Sequence, residues 1–324
     1  MSQRLRRGLL WFAQIALTLV ATYFLFRSLR LSWSELEAVD ASRWRPSPLP
    51  LLASVATLLA VFLYLVALWA RMIGALGGPR LRLVEATRIF FVANLGRYIP
   101  GKVWQLAGLA YLAGRRGVPL TVASTSAVLG QLYSLGAAAC LGGLGLALAA
   151  GPLSRIPSGL VAGALMLAAL VAIFLLVPAA LHLVLRLAFR LSRRGEPPQL
   201  DAWFGPRWLA LYLPAWAGYG LAFGLLWATF PALGRVSWPA AMAGFAASYF
   251  LGYAAIFAPA GVGVREGAMA VLLAPWLGAA EATVLAVIAR IWMTAVELLP
   301  LVALAGGGAL RWLRGTDERR HVAR

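Results

Sequence analysis

Six ionisable residues lie where an apolar chain leaves little room for charge: Arg97, Lys102, Arg265, Glu266, Arg290 and Glu297. A charged side chain at the centre of a bilayer costs roughly 2.5–3.5 kcal/mol on insertion scales, so each needs a partner, water or a function. Arg97 and Lys102 flank Pro100-Gly101, while Arg265-Glu266 follow Pro259, Gly261 and Gly263. Pro and Gly interrupt a helix, and a helix restarted after the interruption offers free backbone N–H groups and the positive end of its dipole to an anion. Lys102 with the N–H groups from Val103, and Arg265 with those near Gly267, are placed to hold a phosphate from two sides. The bland alternative pairs Arg265 with Glu266 or Glu297 and lets Arg97 and Lys102 snorkel to an interface. Arg290 and Glu297, seven apart, share one helical face and can line the same cavity. Gln105 follows the first break, and Asn94 and Gln131 either extend a polar lining or bond neighbouring helices.

The elements that must position these residues are membrane spans. The chain has 324 residues, 62% hydrophobic and 12% charged, with a mean hydropathy of +0.81; soluble domains carry about 25% charged residues. Six apolar runs are long enough to cross: Leu9 to Phe26, Leu49 to Ile73, Leu120 to Ala149, Gly159 to Leu185, Trp208 to Phe230 and Ala282 to Leu304. The first follows Arg4, Arg6 and Arg7 but is long for a signal peptide and has no A-x-A site after it, so it reads as a retained helix.

Two further stretches are split. From Glu85 to Gly114 an apolar half, Ile89 to Leu95, is followed by the break Gly96 to Lys102 and a second half, Val103 to Ala113. From Trp238 to Leu277 the halves are Ala240 to Phe257 and Ala268 to Leu277, with the break at Ala258 to Gly267. Backbone freed by Pro and Gly at membrane depth is tolerated only inside protein or beside a wet cavity, so both read as re-entrant, broken-helix elements.

A shift of 159 residues lays Pro259 on Pro100 and Arg290 on Gln131, and the order of features repeats: two spans, a broken element, one span. An odd number of crossings per half inserts the second half upside down. The expected fold is thus an all-α polytopic membrane protein of six full spans plus two re-entrant broken-helix elements arranged as an inverted-topology repeat. Residues 1–150 form the first repeat, 151–310 the second and 311–324 a cytoplasmic tail, within one membrane domain spanning 1–324.

The net charge of +18 comes from arginines with a single lysine. Nineteen arginines fall on one side of this topology and six on the other, which places both termini in the cytoplasm of a bacterial inner membrane. The same distribution favours anionic headgroups over nucleic acid as partners. One cysteine, Cys140, excludes an internal disulfide framework, and His182 and His321 are too far apart for a metal site. No cofactor is expected. The spacing Gly261-x-Gly263-x-x-x-Gly267 misses the dinucleotide pattern and follows no Rossmann strand, and no phosphate-binding Walker sequence occurs. The pairs Gly159/Gly163 and Gly220/Gly224 permit close helix packing and also arise by chance in a chain with 33 glycines.

The segments Asn94 to Gln105 (NLGRYIPGKVWQ) and Ala258 to Ala268 (APAGVGVREGA), with Arg290 beyond, resemble the transmembrane domain of the lysylphosphatidylglycerol synthase/flippase family. The more specific motif is Pro-x-Gly-x-Gly-x-x-Glu, carried by Pro259, Gly261, Gly263 and Glu266. The resemblance covers nearly the whole chain. It implies a membrane domain related to the part of the multiple peptide resistance factor that moves aminoacylated phosphatidylglycerol between leaflets, and to domains accompanying polyprenyl-phosphate sugar transfer. Family members often carry Glu-Arg where this chain has Gly130-Gln131, a departure that removes the basis for a symmetric charged site. Only a short tail follows the last span, so lysyl transfer is not expected.

The leading expectation is a lipid or lipid-linked-precursor translocase without catalytic residues, binding anionic headgroups through Arg97, Lys102, Gln105, Gln131, Arg265, Glu266, Arg290 and Glu297. The alternatives are a membrane-embedded glycosyl or aminoacyl transferase and a non-transporting partner of a glycosyltransferase. Against the transferase, the only aspartates are Asp40, Asp201 and Asp317, which make no D-x-D motif. A homodimer is left open.

Overall fold

The computed structural model describes residues 40–98, 103–149, 166, 169–171, 173–177, 182–183, 185–186, 200–255, 258 and 261–306. Every regular element among them is helical. The expected spans Leu9 to Phe26 and most of Gly159 to Leu185 lie outside the described residues, as do Pro100, Gly101, Lys102 and Pro259.

Among the described residues, the eight α-helices longer than ten residues come in a repeated order of long, short, short, long. Helix α1 is Pro48–Ala75, α2 Leu83–Asn94, α3 Val103–Gly114 and α4 Leu120–Leu148. Helix α5 is Phe204–Ala228, α6 Trp238–Ala254, α7 Val264–Leu277 and α8 Ala279–Gly306. The four long helices have the length and composition to cross a membrane: Pro48–Ala75, Leu120–Leu148, Phe204–Ala228 and Ala279–Ala303. The short ones do not, because a 12-residue helix such as α2 or α3 spans only about 18 Å.

Local chemistry sets the ends. Prolines occupy the first turns of α1 and α6, where the missing N–H costs nothing, and Ser237 caps α6 by accepting from the Ala240 N–H at 3.4 Å. The first break falls where expected: α2 stops at Asn94, a 3₁₀ turn runs from Leu95 to Tyr98, and α3 starts at Val103. The second lies earlier in the chain than expected, because α6 stops at Ala254 and not at Phe257. Helix α7 begins at Val264, so Arg265, Glu266 and Gly267 belong to its first turn and not to the break. Gly263, with φ of +80°, turns the chain into the helix, and the Glu266 carboxylate reaches back to accept the Gly263 N–H at 2.7 Å. A carboxylate in that position satisfies an orphan donor and sits at the positive end of the dipole.

The two sets of four helices pack alike. Within each, the first helix packs on the second and fourth, the second on the third, and the third on the fourth. Between them, α4 packs on α5 and α6, and α8 packs on α1 and α2. The first helices of the two sets, α1 and α5, lie side by side and antiparallel: the Ser54 hydroxyl donates to the Ala222 carbonyl at 2.7 Å and the Tyr64 hydroxyl to the Leu211 carbonyl at 2.8 Å. Gly220 and Gly224, ambiguous in the sequence, both face α6: a Cβ there would meet the Met242 and Trp238 side chains within 2.6 Å. Their spacing is a packing device.

Candidate functional site

The interior of the bundle is aromatic. Phe62, Phe91, Trp216, Phe223 and Phe245 are fully buried, and offset or edge-on contacts link Trp216 to Tyr219 and Tyr249, and Tyr219 to Phe245. A cleft lined by charged and neutral polar side chains as well as apolar ones opens within this interior.

Five of the residues expected to bind ligand line that cleft: Arg97, Gln105, Arg265, Arg290 and Glu297. They reach it from separate elements. Arg97 lies in the 3₁₀ turn of the first break, Gln105 in the first turn of α3, Arg265 in the first turn of α7, and Arg290 and Glu297 on α8. Arg290 sits about 16 Å along α8 from Ala279, near the middle of a membrane-length helix. The two breaks therefore converge, although 200 residues separate Arg97 from its partner Glu297.

The ion pairs are not those of the bland alternative. Glu297, 2% exposed, takes Arg97: one guanidinium nitrogen lies 3.3 and 3.5 Å from its two carboxylate oxygens. Glu266 takes Arg290 at 3.6 Å while accepting the Gly263 N–H. Arg265 pairs with neither carboxylate. It is 6% exposed and packs against the rings of Phe245 and Tyr249, its guanidinium carbon 4.9 and 5.0 Å from their centroids. One guanidinium nitrogen, Nη1, is 3.1 Å from the Met293 sulfur, and the other, Nη2, has no hydrogen-bond partner among the described residues. Ring faces offset part of the cost of desolvating a cation but do not neutralise it. Among the described residues, three guanidinium groups thus meet two carboxylates, leaving one positive charge for the cleft.

The approach of Arg265 depends on small residues. A Cβ on Gly252 of α6 would lie 2.8 Å from the Arg265 Cβ, and one on Gly261 would lie 2.8 Å from the Gly252 carbonyl oxygen. Gly252 in α6 and Gly261 in the second break therefore let α7 dock its first turn against α6.

Gln131, which the sequence also nominated, lines a second chamber that shares Arg97, Gln105 and Tyr249 with the cleft. Asn94 lines this chamber too, and its side-chain oxygen accepts from the Gln105 amide at 2.7 Å, joining the two sides of the first break. The site residues that sequence reading did not single out are Tyr249, Gly252, Tyr253, Met293 and Thr294. Aromatic and thioether side chains in an apolar run carry no local mark separating a site wall from core. Among the described residues no cluster of His, Cys, Asp and Glu is suited to a metal ion.

Large apolar side chains stand exposed on the long helices, including Leu49, Leu52, Ile291 and Val302, at 64–77%. Water does not tolerate such a surface in a monomer. With four membrane-length helices and charge gathered in an internal cleft, they define a multi-pass helical membrane protein. The sequence model of the lysylphosphatidylglycerol synthase TM region matches residues 11–300, and the chain belongs to that family. No curated protein matches the sequence.

Proposed function

We propose that the protein is a lipid translocase, which admits the anionic headgroup of a phospholipid or lipid-linked precursor to the cleft between the two breaks while the apolar tails stay in the bilayer. The observation that carries this reading is Arg265: a buried cation without a carboxylate among the described residues, its second guanidinium nitrogen unpaired, beside a cleft at mid-helix depth. A headgroup phosphate supplies the missing countercharge. Lys102 and the N–H groups at the start of α3 form the opposite side of the clamp in this reading, with Gln105 and Gln131 as neutral donors.

The reading takes the eight helices as two halves of an inverted repeat within six full spans. Its support is the matching order and packing of the two helix sets and the antiparallel run of the equivalent helices α1 and α5. Such halves place a binding site near the midplane, where discontinuous helices meet. The membrane is a bacterial inner membrane with both termini cytoplasmic, following the arginine distribution.

The test is transbilayer movement of a fluorescent phosphatidylglycerol in proteoliposomes, read by quenching of the outer leaflet. Charge-assisted hydrogen bonds contribute about 1.5–3 kcal/mol, so Arg265→Gln is expected to slow movement by roughly ten- to hundred-fold, with Arg265→Lys retaining part of it. Equal rates in the wild type and in a folded Arg265→Gln variant overturn the proposal. Covalent change of the lipid, followed by mass, would point to a transferase instead.

A further inference from the structure

At one end of the bundle the two helix sets are fastened to each other. Arg43, in a 3₁₀ turn at Ala41–Trp44 just before α1, donates through Nη1 to the Glu281 carboxylate at 2.8 Å and through Nη2 to the Ala232 carbonyl at 3.1 Å. Glu281 lies in the first turn of α8, and Ala232 in the 3₁₀ turn Pro231–Leu233 between α5 and α6. Beside them the Ser47 N–H donates to the Thr229 carbonyl at 2.7 Å, and Trp44 meets Phe230 edge-on, ring centroids 5.1 Å apart. At the opposite end the ion pairs of the described residues stay within one set: Arg116 pairs with Glu85 of α2, and Arg207 of α5 with the preceding Asp201.

Inward from this clasp the bundle is closed. Ser54, Phe223 and Phe245 are fully buried and lie about 8–10 Å along α1, α5 and α6 from the clasped end. The Ser54 hydroxyl binds the Ala222 carbonyl, and Phe223 packs on Phe245 with centroids 5.6 Å apart. The cleft begins beyond this layer, at Tyr249 and Arg290, each about 16 Å along its helix. Phe245 belongs to both, because its ring also packs on the Arg265 guanidinium. A site that serves two leaflets needs a barrier on each side that can part, and halves that rock apart must release whatever joins their ends. The Arg43–Glu281 pair suits such a contact. Its side chains are 44% and 22% exposed, and pairs at that exposure add little net stability, so it guides closure without locking it.

We infer that Arg43 is the latch of a gate: its contacts hold this end of the cleft shut, and they part when the headgroup site opens toward that face of the membrane. The inference rests on the translocase reading and adds its moving part.

Two measurements on the full-length protein test it, with Cys140, the single cysteine of the chain, replaced by serine. In the first, Ser54→Cys reports opening through its labelling by a membrane-impermeant maleimide in proteoliposomes. Arg43→Gln is expected to speed that labelling about five-fold. Ser126→Cys, equally buried but near the opposite end of α4, is the control and is expected to label no faster. In the second, Arg43→Cys/Glu281→Cys is bridged by a bifunctional methanethiosulfonate. The bridge is expected to slow phosphatidylglycerol movement at least ten-fold, with recovery on reduction. Unchanged labelling at Ser54→Cys, equal acceleration at both positions, or full-rate lipid movement through the bridged protein overturns the gate. Faster labelling confined to Ser54→Cys, with no lipid movement in any variant, supports the latch and overturns the lipid reading instead.

Discussion

Replacing Glu297 by glutamine is expected to destabilise the protein by about 3–5 kcal/mol, the cost of leaving one member of a buried ion pair without the other. Glu297 is 2% exposed and lies 3.3 Å from an Arg97 whose side chain is 19% exposed. Among the described residues, removing the negative charge leaves three guanidinium groups and one carboxylate, Glu266, in a medium that screens poorly. The measurement is a denaturation titration in detergent. The double variant Arg97→Leu/Glu297→Leu separates the pair from the packing: because it removes both charges together, it is expected to recover more than half of the loss. Equal stability of Glu297→Gln and the wild type would show that the pair does not hold α8 to the first break.

The second large effect is expected at Gly261. Its φ of +71° is a conformation that a Cβ disfavours by about 1–2 kcal/mol, and the added atom would also lie 2.8–3.1 Å from the backbone of Gly252. Backbone cannot swing aside as a side-chain tip can, so Gly261→Ala is expected to cost about 3 kcal/mol or more. Gly77 supplies the comparison. Its φ is +80° and a Cβ added there would have no neighbour within 4 Å, so Gly77→Ala is expected to cost only the conformational share, about 1 kcal/mol. The two melts, measured side by side, divide strain from collision. Because Arg265 closes the space beside Gly252, where an added Cβ would lie 2.8 Å from the Arg265 Cβ, Gly261→Ala is further expected to weaken anion binding, whereas Gly77→Ala leaves it intact.

Much of this site was legible because charge is rare in apolar sequence: Arg97, Arg265, Arg290 and Glu297 stand out against their neighbours, and all of them reach one cleft. The first break was legible because Gly96 and the Pro100-Gly101 pair interrupt an apolar period. The start of α7 was not. Arg265-Glu266 reads as a polar loop until the Glu266 carboxylate is seen closing on the Gly263 N–H, a contact that turns the same polarity into a helix cap. The choice of ion pairs was also hidden. Spacing along the chain favours neighbours such as Arg265 and Glu266, but a carboxylate at the start of a helix points back toward its cap, and Glu297 meets a residue from the other half of the chain. The aromatic chamber left no trace, because Trp69 and Trp216 have the same composition signal whether they fill a core or wall a void.

The rings around Arg265 have a thermodynamic consequence. A free arginine gives up close to 2 kcal/mol of rotamer entropy when it is pinned by an incoming anion. With the rings of Phe245 and Tyr249 each about 5 Å away and the Met293 sulfur at its tip, this guanidinium was immobilised when the chain folded. An arriving anion therefore meets a stationary charge, and little of its attraction is spent on bringing that charge to rest.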